Sequence, residues 1–197
     1  MISYQSIKRV VDIIAALIIL AVLSPIILIV AGLIRGESGS PVFYRQVRVG
    51  YQRNTFELLK FRTMKVNPVR DHGKELDPAD PEITFIGRFL RRFKIDELPQ
   101  LLNVLRGQMS LVGPRPPLPL LLSEMNGHEL KRFDVLPGLT GLAQVNGNIH
   151  LSWTQRFKYD LQYVDRCSFL LDMSILLKTI LIVCFGEHRF VDRGIEK

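Results

Sequence analysis

The strongest pattern along the chain is an apolar run near its start. From Ile13 to Ile34 no charged residue occurs. As a helix this run is about 33 Å long at ~1.5 Å per residue, enough to cross a bilayer core. A short amphipathic lead containing Lys8 and Arg9 precedes it. Ser24-Pro25 falls at its middle, where proline removes a backbone hydrogen bond and crowds the preceding turn, so a break is expected there. Lys8 and Arg9 lie before the run, and Arg35, Arg45, Arg48 and Arg53 lie after it. Positive charge on both flanks suits a hairpin that enters and leaves one leaflet; a kinked span is the other reading. The run is longer than the ~7–15 residues of a signal-peptide core.

Beyond it the patterns are shorter. Pro41 to Met64 alternates and is rich in β-formers around Gly50 and Arg53-Asn54, which predicts a hairpin. Lys60 and Arg62 alternate with apolar neighbours there and are expected on one side of the strand. Val66 to Thr84, with Pro68, Pro78 and Pro81 among charged residues, predicts a long polar loop. Ile86 to Phe93 reads as a short basic helix. Leu98, Leu101, Leu102 and Leu105 then recur at helical spacing, with Asp96 where an N-cap would stand, Pro99 in the first turn and Gly107 as a stop. Ser123 to Phe133 predicts a polar helix, and Pro137 to Gly147 a turn-rich segment. Trp153, Phe157, Tyr159 and Tyr163 predict an aromatic helix around Asp160. Phe169 to Phe185 is strongly apolar, but Asp172 and Lys178 interrupt it. Each would cost roughly 2.5–3.5 kcal/mol near a bilayer centre. That segment is expected to lie in the interface or on the domain.

Hydrophobic residues make up 47% of the 197, and the formal charge is +7. A basic surface suits anionic lipid, a nucleotide diphosphate or nucleic acid. No recognition-helix or zinc-finger pattern supports the last, so no nucleic-acid partner is expected. Cys167 and Cys184 stand far apart in apolar settings and read as reduced thiols. The four histidines lack metal-ligand spacing.

The chemistry concentrates between Arg91 and Pro117. Asp96-Glu97 follows Arg91, Arg92 and Lys94 and opens the leucine-patterned helix. A helix start stabilises carboxylates and attracts anions. Read alone, the pair caps the helix. The segment Met109-Ser110-Leu111-Val112-Gly113-Pro114-Arg115-Pro116-Pro117 follows, and its prolines stiffen the chain around one arginine. Guanidinium suits bidentate phosphate binding.

Taken together, Ile95 to Pro116 resembles the signature of the bacterial sugar transferases, monotopic enzymes that move a sugar phosphate from a nucleotide sugar to a polyprenyl phosphate. Lys60-Phe61-Arg62-Thr63-Met64, Pro137 to Gly147, Trp153, Tyr159-Asp160 and Tyr163 are also similar to that family. The resemblance implies a mostly helical α+β fold. It would comprise a re-entrant membrane helix over 1–35, broken at Ser24-Pro25, and a catalytic domain over 36–197 with a small β-hairpin, interfacial helices and a site facing the cytosol. It implies that Asp96 is a nucleophile forming an aspartyl-phosphosugar and that Glu97 holds Mg²⁺. Arg115, with Lys60, Arg62, Pro114, Pro116 and Asn148, would bind substrate, and Asp160 would support them. The implied substrates are a UDP-sugar, with UMP released, and undecaprenyl phosphate. The implied place is the bacterial inner membrane, with downstream glycosyltransferases as partners. At position 148 the family often has arginine, and here stands asparagine, so sugar specificity is open. A non-enzymatic membrane anchor and a metal-dependent lipid-phosphate hydrolase remain as alternatives.

Overall fold

A computed structural model describes residues 4–65 and 80–186. Most of the loop expected over Val66 to Thr84 therefore lies outside the described residues. The architecture is α+β and mostly helical, with one long apolar N-terminal helix, an antiparallel hairpin and a second, parallel pair of short strands.

Helix α1 runs from Tyr4 to Ser38 with Pro25 inside it. The helix is continuous through Ser24-Pro25, so the expected break does not divide it into two helices. Pro25 has no N–H to give the carbonyl of Ala21, and the Ser24 hydroxyl donates to that oxygen at 2.8 Å instead. Helix α1 is long and apolar enough to cross a membrane. One stripe of it is covered by the rest of the chain: Lys8, Asp12 and Ala16 before Pro25, Val30 and Ile34 after it. Ala16 joins the core that holds Leu101, Val104 and Met109. Val30 and Ile34 join Phe61 and Leu90. Ile14, Leu17, Ile18, Val22, Leu28 and Ile29 stay exposed on the other faces.

Polar contacts fasten the N-terminal half of α1. Asp12 accepts from the Ser110 hydroxyl at 2.6 Å and from the Leu111 amide at 3.3 Å. Arg9 donates to the carbonyls of Val104 and Leu105, at the end of helix α3 (Gln100–Leu105). Those are carbonyls a helix C-terminus leaves without partners.

Strands β1 (Phe43–Val49) and β2 (Thr55–Phe61) pair antiparallel from Phe43↔Phe61 to Val49↔Thr55, the hairpin expected from the alternation. Helix α2 spans Phe85–Arg92, capped by the Thr84 hydroxyl. It exposes Phe85 and Phe89.

Strands β3 (Ser110–Val112) and β4 (Gly138–Thr140) pair in parallel, which the pattern did not predict. Three-residue strands are too short to show a period. At Gly138 the backbones approach so closely that a Cβ would lie 2.1 Å from the Gly113 nitrogen. The polar helix expected over Ser123 to Phe133 is instead two 3-10 segments, Pro119–Glu124 and Glu129–Asp134. Between them the Asn126 side chain accepts from the amides of His128 and Glu129, a local turn that competes with a helix.

Helix α4 (Leu142–Val145) is short. Helix α5 (Trp153–Arg166) begins with a capping box of Ser152 and Gln155. Helix α6 (Phe169–Phe185) matches the apolar segment read from the sequence. Its Asp172 is buried and accepts from Lys8, Tyr4 and Tyr163, so one of the two interrupting charges is paired inside the fold.

Candidate active site

Asp96 and Glu97 lie in a 3-10 turn, Ile95–Glu97, entered through Lys94 at φ 57°. Asp96 is therefore not the N-cap of α3; Pro99 holds that position. The left-handed backbone of Lys94 separates this turn from helix α2. Asp96 is buried, at 7% exposure.

Glu97 is braced by two cations on one oxygen. Lys60 Nζ donates to Glu97 Oε1 at 2.7 Å, and Arg115 Nη2 donates to the same atom at 2.8 Å. Lys60 comes from β2, which Asn103 clamps to α3. The Asn103 side chain accepts from the Leu59 amide at 3.0 Å and donates to the Glu57 carbonyl at 2.7 Å. Arg115 comes from the Pro-Arg-Pro segment after β3.

The charges of the two carboxylates are set differently. Burial raises the pKa of Asp96, and the neighbouring Glu97 adds to the rise; Lys60, Arg91 and Lys94 oppose it. Burial would also raise Glu97, but Arg115 and Lys60 outweigh it and hold that carboxyl well below its ordinary value. Burial lowers Lys60 against the pull of Glu97. Arg48 is lowered to about 10, by burial and then by the charge of Arg115. The result is a Glu97 that ionises more readily than usual beside an Asp96 that ionises less readily.

Not all the expected residues meet here. Arg62 donates to the carbonyls of Ser38 and Gly39 and to the Ser38 hydroxyl, at the end of α1. Its backbone amide still donates across the hairpin to Val42 O at 2.9 Å, but its guanidinium is taken up at the end of α1 and not by Glu97. The carbonyl of Pro114 accepts from the Gly138 amide, and that of Pro116 from Arg48. Asn148, at φ 45°, is fastened to α5, its carbonyl accepting from Arg156. Asp160 pairs with Arg132 at 2.6 Å. Burial raises its carboxyl to about 6 despite that arginine.

Arg91 and Arg48 act on this centre although neither stood among the expected site residues. Arg91 Nε donates to the Thr63 hydroxyl at 2.8 Å, and its charge acts on Asp96. Its place in the basic run before Asp96 was the available signal.

The fold and this centre define a protein with a bilayer-length apolar helix and a cation-braced pair of carboxylates. The chain belongs to the bacterial sugar transferase family, whose model matches residues 3–186. It is 46% identical over 180 residues to an uncharacterized sugar transferase, EpsL, of Bacillus subtilis, covering 91% of this chain and 88% of that one. It is 39% identical over 198 residues to the exopolysaccharide production protein ExoY of Sinorhizobium fredii, covering 93% and 88%. A UDP-glucose:undecaprenyl-phosphate glucose-1-phosphate transferase of Caulobacter vibrioides is 41% identical over 185 residues, covering 88% and 68%.

Proposed function

We propose that the protein transfers a sugar 1-phosphate from a UDP-sugar to undecaprenyl phosphate in two displacements at one phosphorus. The observation that carries this reading is the buried Asp96 beside a Glu97 held by Lys60 and Arg115. The name of the Caulobacter relative supports the substrate classes.

In the first displacement an Asp96 oxygen attacks the phosphorus that bears the sugar. A P–O bond to that carboxylate forms, the P–O bond to UMP breaks, and UMP leaves. In the second, an oxygen of undecaprenyl phosphate attacks the same phosphorus. The bond to Asp96 breaks, and the carboxylate is regenerated as the lipid diphosphosugar departs. Lys60 and Arg115 supply fixed positive charge where the diphosphate would sit.

The carboxylates fit Mg²⁺. This ion takes one or two protein carboxylates and completes its shell with water and substrate phosphates, and both donors to Glu97 fall on Oε1. Glu97 would hold it, and the ion would neutralise charge on the diphosphate.

Membrane placement follows the same reasoning. Residues of α1 on both sides of Pro25 pack on the rest of the chain, which supports a helix bent at the proline that enters and leaves one leaflet. A site at the cytoplasmic face of the inner membrane would reach one substrate in water and one in lipid.

The test incubates detergent-extracted protein with Mg²⁺, undecaprenyl phosphate and a panel of UDP-sugars headed by UDP-glucose. UMP release with lipid-linked sugar is expected. Inorganic phosphate from the lipid would indicate a hydrolase, and no turnover across the panel an anchor.

A further inference from the structure

Pro114, Pro116 and Pro117 have no amide N–H, so the segment that presents Arg115 is held largely by its carbonyls. All four are engaged. Pro114 O accepts from the Gly138 amide and Pro117 O from the Val49 amide. Pro116 O accepts from Arg48 Nη1 at 3.2 Å. Arg115 O accepts from Arg132 Nη2 at 2.8 Å.

Arg132 stands out among these donors. It is 4% exposed, and the same Nη2 lies 2.6 Å from Asp160 Oδ2. Its guanidinium lies over the Phe157 ring, 5.1 Å from the centroid. Its Nε and Nη1 have no hydrogen-bond partner among the described residues. A buried ion pair with unmet donors is weakly justified by stability alone. What it does achieve is a rigid link from α5 to the main chain of the residue whose side chain grips Glu97.

We propose that Arg132 is a positioning residue for the transfer reaction: oriented by Asp160, it fixes the backbone of Arg115 so that the Arg115 side chain reaches Glu97. This rests on the transferase reading above.

The experiment compares Arg132→Gln in the native background and in Arg115→Lys, reading kcat/KM for UMP release together with thermal unfolding. A loss on the order of 10²-fold is expected in the native background, as for a small misplacement of a positioning group. In Arg115→Lys the same change should cost less than about threefold, because the two residues act as one unit. Equal losses in both backgrounds would overturn the proposal. Should Arg132→Gln fail to fold, Arg132→Lys and Asp160→Asn carry the same comparison.

Hydrogen exchange separates this proposal from the transferase reading. If the native protein releases no UMP, that reading fails, and exchange at the Gly138 and Val49 amides, which donate to Pro114 and Pro117 on either side of Arg115, still tests the link. Arg132→Gln should speed their exchange about tenfold while the amides of α3 stay protected. Unchanged exchange there would overturn the positioning role.

Discussion

Lys8 Nζ lies 2.6 Å from Asp172 Oδ2, joining helix α1 to helix α6, with both side chains buried. Breaking a buried pair by removing one partner costs on the order of 3–5 kcal/mol, because the other charge is left uncompensated. Lys8→Met should therefore lower the Tm in detergent by several degrees. The double variant Lys8→Met, Asp172→Leu should recover much of that loss. An unchanged Tm in Lys8→Met would show that Tyr4 and Tyr163 alone satisfy Asp172.

Asp96→Asn removes the attacking oxygen's charge but keeps the volume of a buried side chain. Turnover should fall at least ~10³-fold, the scale for loss of a group that acts in the reaction's bond changes, while thermal unfolding stays cooperative. With donor alone, the native protein should yield a peptide containing residue 96 that carries a phosphosugar, detected by mass spectrometry. Product formation without that adduct would replace the two displacements by a single direct one.

The pH profile carries a signed prediction. The attacking form of Asp96 is ionised, and burial with Glu97 beside it raises its pKa. Activity should therefore rise with pH along a limb lying above the ordinary value of an aspartate, a limb that belongs to the coupled pair. Lys60 favours the ionised form, so Lys60→Met should move the limb to higher pH, whatever it does to the maximum rate. A limb that stays put or moves down would remove Lys60 from the electrostatics of Asp96.

Legibility differed by the length of the pattern. Helix α6 could be read to its ends because Ser168 and Gly186 bound a long apolar run. The hairpin could be read because seven residues on each side alternate or favour strands. Strands β3 and β4 could not, being three residues each and far apart in sequence. At the candidate site, Asp96-Glu97 was legible as an adjacent pair, and it was the family resemblance, not spacing, that set Lys60 and Arg115 beside it, where the structure brings both onto Glu97. The roles of Arg132 and Asn103 were not legible, because each depends on a hydrogen bond between distant segments that no local spacing encodes. Arg62 shows the converse: its spacing from Lys60 was clear, but its guanidinium goes to the Ser38 and Gly39 carbonyls, a long-range contact that spacing does not encode.

The topology of α1 can be tested directly. Its covered stripe continues past Pro25, and basic residues flank both ends, so both ends should face the same side. With Cys167 and Cys184 replaced by serine, single cysteines at Gln5→Cys and Gly36→Cys should both react with an impermeant thiol reagent from the cytoplasmic side. Labelling from opposite sides would establish a span. Ser24→Ala adds a second reading of the same helix. It leaves the Ala21 carbonyl without the hydroxyl that now serves it, and an unmet polar group away from water costs about 1–3 kcal/mol. The Tm should fall in lipid, where no water can replace the hydroxyl, and fall less in a detergent that admits water to that turn.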